Sequence, residues 1–200
     1  LLPKIESDSI REGKIFTDIS RMDALCHVVR AFKDDSVYHA SGSIDPVRDI
    51  ESVNSELIMH DLIFIEKRCE RIEAARKRKA DAKLDAEDAL LARMKSHLEQ
   101  DLCLRTFDLT EEEEKLVSGY PFITAKQMLI VLNVSDSAIR DSALMEKLGA
   151  SLTKLNIEIM QVSAKLEAEI SMLESDEEKK EFMEDARIVQ PALNTLSFLA

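Results

Sequence analysis

The sequence predicts an α/β protein in which a parallel sheet is interrupted by an antiparallel coiled-coil helical hairpin. Three observations carry this. Apolar runs of strand length recur at Ala24 to Phe32, Gln127 to Leu132 and Ile157 to Val162, bracketed by polar or charged residues. Between the first run and the other two, apolar residues recur every three or four positions for most of a hundred residues, which is the helical period. Only four Gly and four Pro among 200 residues, no Trp and 33% charge favour long helices over a turn-rich sandwich.

The first run, Ala24 to Phe32, is too compact for a helix and reads as a strand buried on both faces. Ile50, Val53, Leu57, Ile58, Leu62, Ile65, Cys69 and Ile72 then share one stripe of a long helix. After a polar stretch around Ala80 to Lys83, a second stripe follows at Leu84, Leu91, Met94, Leu98 and Leu102, so the two helices fold back on each other. Thr110 caps a further helix, with Glu113 as its capping-box partner. Strands at Gln127 to Leu132 and Ile157 to Val162 flank a helical pattern over Ala138 to Leu152, a strand-helix-strand crossover. Ser175 with Glu178 repeats the capping device, and Pro191 starts a last apolar helix from Ala192 to Leu199.

Acidic residues exceed basic ones by 39 − 27 = 12, which disfavours contact with nucleic acid or anionic membranes except where charge is locally reversed. No apolar run is long enough to span a bilayer. Cys26, Cys69 and Cys103 lie far apart without C-x-x-C spacing, against both a zinc site and a disulfide framework, and a reducing cytoplasmic setting is expected. The opening Leu1-Leu2-Pro3 has no initiator Met and no targeting features, as in a piece of a longer protein.

In an open α/β sheet, ligands gather beyond the carboxyl ends of the strands. Those ends are Asn133-Val134-Ser135-Asp136 and Ser163-Ala164-Lys165. This N-x-x-D segment with Ser-Ala-Lys about thirty residues later resembles the base-recognition loops of P-loop GTPases and their ATPase relatives. There the Asp carboxylate accepts from the purine edge, the Asn ties the loops together, and the Ser-Ala-Lys backbone and lysine stem line the ring. The plain alternative is a polar strand-to-helix turn at Asn133 and Asp136 with a solvated Lys165.

Further residues narrow the resemblance. Met22-Asp23-Ala24-Leu25-Cys26-His27-Val28-Val29-Arg30-Ala31-Phe32-Lys33-Asp34-Asp35, then His39, Gly42, Asp45-Pro46-Val47-Arg48-Asp49-Ile50-Glu51 and Glu56-Leu57, resemble Obg-like ATPases of the YchF type. The likeness resumes at Pro121-Phe122-Ile123-Thr124 and the strand ending in Asn133, and runs over most of residues 13 to 198. It implies a partial P-loop NTPase G domain, a helical arm, nucleotide hydrolysis favouring ATP, magnesium in the complete protein, and association with ribosomes. It divides the chain into G-domain residues 1–48, the helical insertion 49–118, and the G-domain remainder with the base loops, 119–200.

The chain departs from that pattern in two ways. The loop G-x-x-x-x-G-K-[ST] is absent, since Gly13-Lys14 is followed by Ile15 and position 8 is Asp8. The C-terminal β-rich domain that the resemblance also implies is not expected within these 200 residues. Without amides, lysine and magnesium to neutralise a triphosphate, the chain alone is expected not to hydrolyse ATP, whatever the parent does. The family's base motif usually ends in Glu, whereas Asp136 stands here as in guanine readers; Val134 replaces their covering lysine stem. ATP is the expectation from the resemblance, with GTP open.

From Lys67 to Lys83, eight basic residues face three acidic ones, a local +5 in a −12 chain. Arg76, Lys77, Arg78 and Lys79 fall at the tip of the predicted arm and could touch ribosomal RNA. The bland alternative is a solvated helix end whose cations suit its dipole. No aromatic residue interleaves the run, so sequence readout of RNA or DNA is not expected. His27 reads as a hydrogen-bonded core histidine, Asp34 and Asp35 as a turn, and His39, His60 and His97 show no metal-ligand spacing.

Overall fold

A computed structural model describes residues 14–78 and 81–186. The expected final helix after Pro191, the Gly13 segment and Lys79 lie outside those residues. The order is α1 (Lys14–Ser20), β1 (Ala24–Arg30), α2 (Pro46–Arg76), α3 (Ala82–Leu98), α4 (Glu111–Val117), β2 (Gln127–Asn133), α5 (Ala143–Lys154), β3 (Ile157–Val162), α6 (Ala164–Met172) and α7 (Asp176–Ala186). The three strands form one parallel sheet in the order β1-β2-β3. Its register sets Arg30 opposite Asn133, and Asn133 opposite Val162, so the three strands end together.

Period-two alternation decides what each sheet face meets. Val29, Met128, Ile130, Leu132 and Ile157 pack with Phe16 and Ile19 of α1, Ile50 and Leu57 of α2, and Leu148 and Leu152 of α5. Val131, Met160 and Val162 form a smaller cluster on the other face. β1 corrects the expectation of burial on both faces: Cys26 is exposed and Val28 is 61% exposed, while Val29 is buried. Among the described residues β1 is an edge strand, and no described element covers its second face.

Asp45 caps α2 by accepting from Arg48 N–H at 3.2 Å, and Pro46 suits the first turn because that N–H has no helical partner. The stripe of α2 serves two cores in succession. Ile50 and Leu57 belong to the sheet core, whereas Ile58, Ile65 and Ile72 pack with Leu90, Leu91, Met94 and Leu98 of α3. The ion pairs Arg76–Asp85, Arg68–Glu87 and Lys95–Glu66 run in opposite senses along the two helices, so the hairpin is antiparallel. The first turns of α2 are thus rooted in the sheet core.

The expected capping box at Thr110 and Glu113 is formed, with both reciprocal bonds present. Ser175 and Glu178 likewise bond each other's backbone N–H. The expected helix from Ala138 starts later. Asp136–Ala138 make one 3-10 turn, and α5 begins only at Ala143, because Asp141 and Ser142 turn their side chains onto Ala143 N–H and Glu146. Asn156, at φ 51°, joins α5 to β3 in two residues, a conformation Asn tolerates better than most.

Candidate functional site

The site residues are delivered by strand ends. β2 and β3 end beside each other, and the bond from Val134 N–H to Val162 O at 2.8 Å carries the pairing one residue past β2. Across this seam, Asn133 Oδ1 accepts from Ala164 N–H at 3.1 Å. Ser163 is buried, caps α6 by accepting from Leu166 N–H at 3.3 Å, and donates its hydroxyl proton to Asp136 Oδ1 at 2.6 Å. Lys165 Nζ donates to Asp136 Oδ2 at 2.8 Å. Val134 is buried among the sheet-core residues, so its side chain anchors the loop instead of standing open to solvent.

Asn133, Val134, Asp136, Ser163, Ala164 and Lys165 therefore meet at one end of the sheet. Lys165 first, then Ser163, hold the Asp136 carboxyl below the usual range, and Asp136 in turn raises the Lys165 ammonium. At neutral pH the site presents an ionised carboxylate beside an exposed cation. An ionised carboxylate is an acceptor only, and it suits ligand N–H donors.

Two neighbouring groups were not read from the sequence. Gln161, on β3, donates to Ala138 O at 2.9 Å and Asp141 O at 3.3 Å, holding the turn after Asp136. An amide in a strand whose other polar residue is Glu158 was the available signal. Arg30, at the end of β1, donates to the carbonyls of Phe32, Asp34 and Val37, and its guanidinium covers the Phe32 ring. It organises the loop beside Asn133, with Asp34 accepting from Ser36 in the expected turn.

The basic tip is only partly free. Arg76 forms ion pairs with Asp85 and Asp88 at 2.8 and 2.7 Å, and Lys77 meets Glu73 at 2.9 Å. Arg78 is exposed. Arg76 thus ties the end of α2 to α3, with two carboxylates already beside its guanidinium. The expectation for His27 also changes: the ring is half-buried, and burial pushes its pKa down against the pull of Asp49. Among the described residues no group of three or more His, Cys, Asp or Glu could hold a metal ion. No helix among them is long and apolar enough to cross a membrane.

No protein-family model matches the chain. Curated proteins do. The Bacillus subtilis "Ribosome-binding ATPase YchF" is 39% identical over 188 residues, 92% of this chain and 50% of that protein. The Escherichia coli O157:H7 protein of the same name is 32% identical over 182 residues, 91% of this chain and 50% of its own length. The chain thus spans about half the length of the curated relatives it matches. The solved structure of the Schizosaccharomyces pombe YchF GTPase superposes with a TM-score of 0.77 at 21% identity, over 91% of this chain and 51% of that one, a likeness of fold. On this fold, and with sequence likeness over nine-tenths of its length, the chain belongs to the YchF-type family of Obg-like ATPases.

Proposed function

We propose that the protein carrying this chain is a ribosome-associated P-loop NTPase that binds ATP preferentially and accepts GTP, and that this chain supplies its base-recognition loops. The observation that carries the reading is the seam between the loops: Asn133 bonds Ala164 N–H, and Asp136 lies between Ser163 and Lys165. In this reading Asp136 accepts N–H groups from the purine edge, Asn133 fixes the loops relative to each other, and the Ala164 backbone and Lys165 stem line the ring. Val134 and Ser163 hold the loop positions from below. The curated relatives' names support ATP and ribosome binding. The two oxygens of Asp136 support guanine, whose N1–H and 2-amino group offer two adjacent donors where adenine offers only one.

The loops supply nothing for the phosphates. A G-x-x-x-x-G-K-[ST] loop is absent from the 200 residues, so magnesium and the triphosphate would be held elsewhere in the protein, and this chain alone would be inactive. Cytoplasmic residence goes with ribosome association. The test is titration of the whole protein with a fluorescent ATP analogue, with GTP as competitor, before and after Asp136→Ala. The reading expects at least about tenfold weaker binding in the variant, the scale of lost hydrogen bonds to a charged group. Unchanged affinity would remove the base loops from the site.

A second reading has support from one surface. Lys77 and Arg78 are exposed at the end of the α2–α3 hairpin, which would act as an RNA-binding arm on the ribosome. Arg76 is left out of it because Asp85 and Asp88 already hold it.

A further inference from the structure

The Asp136 carboxylate is already bonded within the chain, and its two partners differ in how firmly they are held. Ser163 is 2% exposed and its hydroxyl also accepts from Leu166 N–H, so its bond to Oδ1 belongs to the frame of the loop. Lys165 is a flexible side chain, 73% exposed, whose ammonium sits 2.8 Å from Oδ2. A purine N–H approaching Oδ2 competes with that cation for the acceptor and is repelled by it, so binding is favoured when the lysine swings aside. Among the described residues one other carboxylate pairs with it: Glu169 Oε1, 4.0 Å from the same Nζ and one turn further along α6. The i, i+4 spacing keeps Lys165 and Glu169 on one face of the helix, so the ammonium reaches Glu169 by rotating its own stem without moving the backbone.

Resting on the base-site reading above, we infer that Glu169 is a positioning residue of that site, taking the Lys165 ammonium as a purine takes Oδ2 of Asp136. Glu169 touches neither base nor phosphate in this scheme. It lowers the cost of clearing the carboxylate while keeping the lysine stem along the ring. Water also solvates the freed ammonium, so the contribution is that of an exposed helical ion pair, about twofold in affinity.

The experiment is a double-mutant cycle on the whole protein at low ionic strength, with affinity for a fluorescent ATP analogue as the readout. Glu169→Gln is expected to weaken binding about twofold when Lys165 is present, and to have no effect in a Lys165→Met background, where nothing is left to be moved. Glu169→Asp should restore part of the loss. Equal effects of Glu169→Gln in both backgrounds, or no effect with Lys165 present, would overturn the inference. Asp136→Ala separates the two levels of failure. If it abolishes binding while Glu169→Gln matches the parent, the positioning role alone fails; if it changes nothing, the base-site reading fails and takes this inference with it.

Discussion

Among single residues, Asp61 shows what the sequence hid. It sits in the apolar stripe of α2, fully buried, and accepts from Ile123 N–H, Thr124 N–H and the Thr124 hydroxyl at 3.0, 2.8 and 2.7 Å. Those donors belong to the segment that feeds β2, so one carboxylate fixes the arm helix to the strand that ends in Asn133. Spacing alone gives no sign of a partner 62 residues away. Asp61→Ala would leave buried amides unbonded and should cost about 3 kcal/mol in urea unfolding, with an unchanged midpoint as the contrary result. Glu87 is the second such group, 4% exposed, paired with Arg68 at 2.6 Å and with the Tyr120 hydroxyl. Burial pushes its carboxyl up, but the bonds from Arg68 and Tyr120 together outweigh it, and its pKa falls below the usual glutamate range. The unfolded chain then binds the proton more readily, so this stability is present above about pH 4.3 and is lost as pH falls through the lower folded value. Unfolding free energies of the parent and Glu87→Gln should accordingly converge on acidification below about pH 4.

Whole elements were more legible than single residues, because period and capping are local. The hairpin stripes, the box at Thr110 and the three strands follow from spacing that needs no knowledge of the fold. Thr110→Ala should cost about 1 kcal/mol, read as a lower urea midpoint. What lies over a strand is not local, and the apolar run at Ala24 to Phe32 looks the same whether one face or two are covered. On β1 as observed, Val28→Lys should change stability by no more than about 0.5 kcal/mol, whereas Val29→Asp, one residue on, should cost about 3 kcal/mol or more. A large loss at Val28 would mean that its face is covered in the whole protein. The pairing of Arg76 with Asp85 and Asp88 was likewise hidden, since the register between two helices is set by their cores and not by either sequence alone.

For the molecule as a whole, the two proposed sites lie at different ends. The Asn133 and Ser163 loops gather at the carboxyl end of the sheet, while the exposed Lys77 and Arg78 lie at the α2–α3 turn of the hairpin on a chain of net charge −12. If the arm meets RNA, Lys77→Glu with Arg78→Glu should lower ribosome retention and reduce its salt slope by about two. Retention with the parent's salt dependence would exclude the tip. The segments at Asn133 and Ser163 could be singled out because they are short and stand at strand ends, and Glu169 and Gln161 could not, because their contacts depend on where Lys165 and the turn after Asp136 come to rest. The claim on which the rest depends is that a purine sits between the Asn133 and Ser163 loops. The most direct measurement is photolabelling of the whole protein with 8-azido-ATP, followed by mapping of the modified residues. Label confined to residues 131–136 and 162–166, and suppressed by excess ATP, is the predicted result; ATP-protected label that falls only outside these two loops would contradict it.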